Sequence, residues 1–242
     1  MNVLDLVFLG FVGLFALIGI FRGMFKPLLQ LVGFAGSLFL GLLVAKFAVN
    51  YIFGIDFLAG LINKVSTGLL GKFAPFTAAV SAASLEADLL ALLPSYLAKP
   101  IAEAAIASYA GEAMTFAELV GPVLMRYLVT LLVTILCYSV IHAIVTLILN
   151  IFKNIKFPKV PIFSQILGFV VNAARGALVF FLLLSIGSFF LTSGIIPAVT
   201  ELYEASAIVR QVDNINIVGR LLVSNIDVPT IIQNAIAAVA AA

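Results

Sequence analysis

Apolar residues in this chain gather into four uncharged runs, each long enough to cross a bilayer as a helix. Leu6–Phe21 covers 16 residues, about 24 Å at 1.5 Å per residue. That is short for a hydrocarbon core of about 30 Å, which predicts a span with little tilt. Pro27–Ala45 follows, with its proline in the tolerated first turn. Tyr127–Phe152 carries no charge over 26 positions and Gly176–Thr200 none over 25. Gly194 and Pro197 set the end of the last run near Leu191–Ile196. The pattern predicts an all-α fold, a polytopic helical membrane protein with about four transmembrane helices plus amphipathic extracytoplasmic helices. Its organisation is an N-terminal transmembrane hairpin (1–53), a helical insertion (54–120), a second hairpin (121–196) and a helical tail (197–242).

The segments outside the runs read as short helices. Ser84 is placed to cap one, with Glu86 and Asp88 in its first turn and an end near Pro94. Pro100 is placed to open another through Glu103. Thr115 and Glu118 fit a capping box leading toward the third span. The tail predicts one helix near Pro197–Gln211 and another opened by Asp227 and Pro229.

Composition agrees. The chain is 64% hydrophobic and 10% charged, whereas soluble chains run at about 45–50% and about 25%. A net charge of +2 gives no nucleic-acid signature. The first residues lack a basic signal-peptide region, which predicts that the first run is retained as a helix. Positive charge then orients the spans. The turn after the first run holds Arg22 and Lys26 and no acid, and the loop after the third holds Lys153, Lys156 and Lys159 and no acid. Residues 54–120 hold three lysines against six acids, and the tail from Ile195 holds two arginines against four. The two basic turns are expected inside, and the N-terminus, middle segment and tail outside. Tyr51 and Tyr127 then fall at the outer interface.

Candidate chemistry is sparse. The third span carries a polar or aromatic-polar residue at every fourth position: Arg126, Thr130, Thr134, Tyr138, His142, Thr146 and Asn150. Each step of four advances about 40°, so the row winds around the helix and only part of it can face one path. Thr134, Tyr138 and His142 could line such a path. The alternative is that hydroxyls bond back one turn and that Tyr138 and His142 bond to a neighbouring helix. His142 is the only histidine, the side chain that titrates near neutral pH. The plausible ion pair of Asp5 is with Lys46 or Arg126 at the outer boundary, but helix registration or simple hydration at the interface is the favoured reading. Arg22-Gly23 and Arg175-Gly176 mark the inner side, where the guanidinium groups can meet lipid phosphate, turn carbonyls or water.

The stretch before Arg175 (Pro161–Ala174) is too short to cross. It reads either as an interfacial or re-entrant helix, which the nearby lysines favour, or as part of one long helix that buries Arg175 near mid-membrane. Small residues recur at helix-packing spacing in Gly33, Ser37, Gly41 and Ala45, in Gly19 and Gly23, and in Gly168 and Gly176. Their partner can be within the chain, in a second copy or in another membrane protein. Motifs of hydrolases, metalloproteases and nucleotide-binding loops are absent, and one histidine with one cysteine, Cys137, makes no common metal site. The expectation is a protein that is not an enzyme, with no catalytic residue, cofactor or metal, whose partner is the lipid bilayer.

Two groups of these residues resemble the colicin V production protein family. Asp5, one short span, Arg22-Gly23 and a second span look like its N-terminal half. Leu167-Gly168 with Arg175-Gly176 is similar to a second signature, usually Asp-Arg followed by Leu-Gly-x-x-x-Gly-x-x-Arg-Gly. Ser164-Gln165 stands here for the Asp-Arg, and Asn172 for the middle glycine. The resemblance covers residues 1–53 and 124–196. It implies a multi-span bacterial inner-membrane protein linked to toxin production or export and to envelope upkeep, and supplies no molecular activity.

Overall fold

The computed structural model describes residues 2–81, 84–108, 114–151 and 161–240. Among them the chain is helical throughout: α1 (Val3–Arg22), α2 (Phe25–Phe53), α3 (Asp56–Leu70), α4 (Leu85–Leu92), α5 (Ser95–Ser108), α6 (Phe116–Ile151), α7 (Pro161–Thr192), α8 (Pro197–Glu204), α9 (Ala207–Asn214), α10 (Ile217–Ser224) and α11 (Val228–Ala240). Helices α1, α2, α6 and α7 are long and apolar enough to cross a membrane. Only 11% of the most apolar stretch of α6 is buried against protein, so lipid must cover the rest. The chain is a multi-pass, all-α membrane protein.

Each span outgrows its uncharged run for a local reason. At α1, Asn2 and Asp5 form a reciprocal capping box: the Asn2 side chain accepts from the Asp5 N–H at 3.1 Å, and the Asp5 carboxylate accepts from the Asn2 N–H at 3.0 Å. The added turn brings α1 to 20 residues, about 30 Å. At α6, the Glu118 carboxylate accepts from the Thr115 N–H at 2.7 Å and the Thr115 hydroxyl from the Glu118 N–H at 3.4 Å, so the expected box opens the third span itself. The first turn at Gly23 needs its glycine, with φ at 67°, and α7 stops short of Gly194, with φ at 68°.

Helix α7 corrects one expectation. Pro161–Thr192 is a single helix of 32 residues, not a surface or re-entrant helix followed by a span. Gly168 and Gly176, which would weaken an exposed helix, are held by packing on α1. Asn172 is buried and its amide donates to the Phe15 carbonyl. Arg175 therefore sits at mid-helix. The lysines at 153, 156 and 159 and the side chain of Asn150 lie outside the described residues.

The spans pack as two seams. Helix α1 runs antiparallel to α7: Gly19 meets Gly168, Phe15 lies on Gly176, and Phe8 meets Phe180 edge-on at 4.8 Å. Helix α2 lies along α6, where the backbone of Tyr138 and Thr134 approaches Gly41. Ser37 bonds back to the Gly33 carbonyl at 2.6 Å, and Ser37, Gly33 and Ala45 are buried. The small-residue rows therefore have partners inside the chain. In lipid the gain comes from close van der Waals contact, not from water release.

The remaining helices form a cap at one end of the bundle, with a water-type core. Leu85, Leu89, Leu93, Leu97, Ile101, Leu119, Leu222 and Ile232 are each at most 1% exposed. Each such side chain contributes about 1.5–3 kcal/mol relative to exposure in water. Beneath the cap, the Tyr127 hydroxyl on α6 donates to the Ser185 carbonyl at 2.8 Å and joins α6 to α7.

Details of the cap differ from the sequence reading. Pro100 lies inside α5 instead of opening it. Ser84 precedes α4 but makes no backbone cap, and its hydroxyl donates to Asp88 at 2.6 Å. The single helix expected at Pro197–Gln211 is two, α8 and α9, with Ser206 as the cap of the second. Helix α10 was not anticipated, whereas α11 begins as expected, with Asp227 accepting from the Thr230 N–H at 3.3 Å.

Candidate functional site

The expected polar residues fall into three places. The first is at the cap end, where α2, α6 and α11 meet around Arg126. One Nη of Arg126 donates to the Asn50 side chain at 3.1 Å, and the guanidinium sits 4.6 Å above the Phe53 ring. Its Nε is buried without a hydrogen-bond partner. Two cavities adjoin here and share Arg126, Ile231 and Asn234. The larger, about 410 Å³, also has Lys46, Asn50, Asp227 and Thr230 in its wall. The smaller, about 310 Å³, has a more apolar wall that includes Phe53, Pro122, Ala235 and Val239.

The second place is inside the bundle, toward the end opposite the cap. Arg175 donates to Gln30 on α2 at 2.8 Å and lies 5.9 Å from the Phe15 ring, and its Nε is buried without a partner. It is level with Phe15, seven residues from Arg22 along α1, which is about 10 Å. Arg22 is exposed at the end of α1, and the Met24 N–H behind it donates to Ser164 on α7 at 3.1 Å. On α6, Tyr138 stacks on His142 at 5.2 Å and meets Phe34 edge-on at 5.4 Å. The Nδ1 of His142 and the hydroxyl of Thr134 are buried without partners. Thr130, by contrast, bonds back to the Arg126 carbonyl at 2.7 Å. The third span thus divides: Arg126 belongs to the cap-end cleft, Thr134 to the seam with α2, and Tyr138 and His142 to the neighbourhood of Arg175.

The third place is Asp5. Asp5 is fully buried and pairs with neither Lys46 nor Arg126. Its Oδ1 accepts from the Ser206 hydroxyl and from the N–H groups of Ile208 and Val209, at 3.0 and 3.3 Å, while Oδ2 accepts from Asn2. The carboxylate thus serves the exposed amides at the start of α9, where a negative charge is favoured. The amide of Asn2 reaches the Leu202 carbonyl of α8, so the start of the chain is bound to its tail twice. The signal missed in the sequence was Ser206, which reads as a helix interior until the break between α8 and α9 is known. Beside it, Tyr203 donates to Asp213 at 2.8 Å. Burial pushes the Asp213 carboxyl up to about 6, against the pull of Tyr203 and Asn216.

Cys137 is a free thiol on α6. Among the described residues no three His, Cys, Asp or Glu side chains gather as a metal ion would require. Comparison with protein-family models, with curated proteins and with solved structures finds no match to this chain.

Proposed function

We propose that the chain is a non-catalytic factor of the bacterial cytoplasmic membrane, of the colicin V production type. It acts in toxin production or export and in envelope maintenance by holding lipid, a membrane-protein partner or a second copy. In this reading the basic turns face the cytoplasm and the cap faces outward. The observation that supports it is the engagement of the third span. Arg126, Tyr127, Thr130 and Tyr138 each contact a neighbouring helix or their own backbone. The two cap-end cavities have none of Thr134, Tyr138 and His142 in their walls.

A transporter or channel is the second reading. It is favoured by the buried, unpartnered polar atoms of Thr134, His142 and Arg175 on facing helices. Flux and substitution separate the two. Reconstituted liposomes are expected to match empty vesicles in proton and small-ion flux from about pH 5 to 8, the range in which a histidine path would respond. In cells, His142→Gln and Tyr138→Phe are expected to keep function at normal abundance. Gly41→Leu should abolish it, because its side chain would press on the Tyr138 backbone nitrogen, 3.1 Å from a Cβ at that position. Protein-dependent flux that disappears in His142→Ala would replace this proposal with the transporter.

A further inference from the structure

The cleft around Arg126 combines features that a stable helix contact does not require. Arg126 is held on both sides, by Asn50 and by the Phe53 face, so its guanidinium is fixed in direction before any ligand arrives. Its Nε still has no acceptor. The acid whose charge acts on it is Asp227, and that carboxylate is already engaged by Thr230, through the N–H at 3.3 Å and the hydroxyl at 2.8 Å. Asp227 therefore acts on Arg126 through space without pairing with it. Lys46 adds a second cation to the wall of the 410 Å³ cavity and is exposed at its rim. The polar amides of Asn50, Asn225 and Asn234 complete that wall.

Position decides what kind of anion fits. Lys46 and Arg126 end the uncharged stretches of α2 and α6, so the cavity lies at headgroup depth. Phe47 and Tyr51 follow Lys46 on α2 and are 77% and 75% exposed, as aromatic side chains at a membrane interface are. The adjoining 310 Å³ cavity has Lys64, Thr67 and Glu118 in its wall, but its larger apolar part, with Phe53, Pro122, Ala235 and Val239, is continuous with the charged cavity through Arg126. A free phosphate ion would use the first compartment and leave the second empty. A phospholipid uses both.

We propose that the Arg126 cleft is a binding site for the phosphate group of a phospholipid in the leaflet at the cap end. Arg126 and Lys46 take the phosphate oxygens, and the apolar compartment takes the glycerol and the first acyl carbons. A guanidinium–phosphate contact is charge-assisted and directional, which suits a fixed Arg126.

The test uses the full chain, purified in a neutral detergent and titrated with phosphatidylglycerol, with bound lipid counted by native mass spectrometry. One saturable equivalent is expected. Arg126→Gln should weaken it about tenfold or more, a change that corresponds to the loss of one charged contact. Arg220→Gln, at an exposed residue that lines neither cavity, should leave it unchanged. Inorganic phosphate in large excess should not displace the lipid; displacement would show a free-anion site and overturn the proposal. Equal binding by Arg126→Gln and the unsubstituted chain would overturn it as well. Should Arg126→Gln fail to fold, Lys46→Gln carries the decision, since Lys46 is exposed. About threefold weaker binding supports the proposal, and unchanged binding rejects it.

Discussion

Gly19→Leu is expected to destabilise the protein by more than about 3 kcal/mol, enough to separate α1 from α7. A Cβ at Gly19 would overlap the carbonyl of Gly168 and lie 2.8 Å from the Cβ of Asn172. From the other side, a Cβ at Gly168 would meet the carbonyls of both Gly19 and Gly23. These obstacles are backbone atoms, which cannot rotate away as a flexible side chain would. The two helices would have to part, losing the contacts that replace the hydrophobic effect inside lipid. The bond from Asn172 to Phe15 and the ring contact of Phe8 with Phe180 would go with them. Gly10 and Gly13 on the same helix are the internal control, because nothing lies within 4 Å of a Cβ at either. Gly13→Leu should stay within about 0.5 kcal/mol. Thermal unfolding in detergent, read as loss of the monodisperse species, compares the three. Equal loss in Gly13→Leu and Gly19→Leu would mean that the seam is not where it is drawn.

Asp5→Ala comes second, at about 4 kcal/mol, and its effect is concentrated in the tail. The substitution removes the acceptor for the Ser206 hydroxyl and for the N–H groups of Asn2 and Ile208, while the Val209 N–H keeps its 3.0 Å bond to the Ser206 oxygen. Each buried donor left without an acceptor costs about 1–3 kcal/mol, and water entry recovers part of the sum. Helices α8 and α9 should loosen from the bundle while the four spans stay assembled. Hydrogen exchange at Ile208 and Val209 reads this directly, with protection expected to fall by orders of magnitude in Asp5→Ala. Lys46→Gln is the informative companion. An Asp5–Lys46 ion pair would make it resemble Asp5→Ala, whereas the observed geometry makes it neutral for tail protection.

The contrast between these positions shows what could be read from residue order and what could not. The four spans were legible because uncharged length is a one-dimensional property and a bilayer imposes it on each helix separately. The Thr115–Glu118 box and the Asp227 cap were legible for the same reason, since their partners lie three residues away. The glycine rows announced close packing, but no spacing in the sequence says that Gly19 faces Gly168 and not a second copy. The partners of Asp5 could not be read, because a buried carboxylate can be satisfied by backbone N–H groups at a helix start as well as by a cation. Finding those amides requires knowing that the chain folds back from residue 206. For Arg175 the inner surface and mid-membrane both stood open, with the upstream lysines favouring the surface, and a guanidinium inside a span is costly. Gln30 and the length of its own side chain lower that cost, and neither is visible from local hydropathy. The cap-end cleft was invisible for a similar reason: Arg126 and Lys46 stood out as single charges, while the wall contributed by α11 is more than a hundred residues away.

The proposed function requires one arrangement: four spans, with the cap and tail together on the outer side and the basic turn after α1 on the other. Single cysteines at Glu86, Arg220 and Lys26, all exposed positions, in a Cys137→Ala background test it in intact cells with a membrane-impermeant maleimide. The account predicts that Glu86→Cys and Arg220→Cys are labelled from outside, and that Lys26→Cys is labelled only after the membrane is opened. Labelling of Lys26→Cys in intact cells with Glu86→Cys protected, or Glu86→Cys and Arg220→Cys on opposite sides, would contradict it.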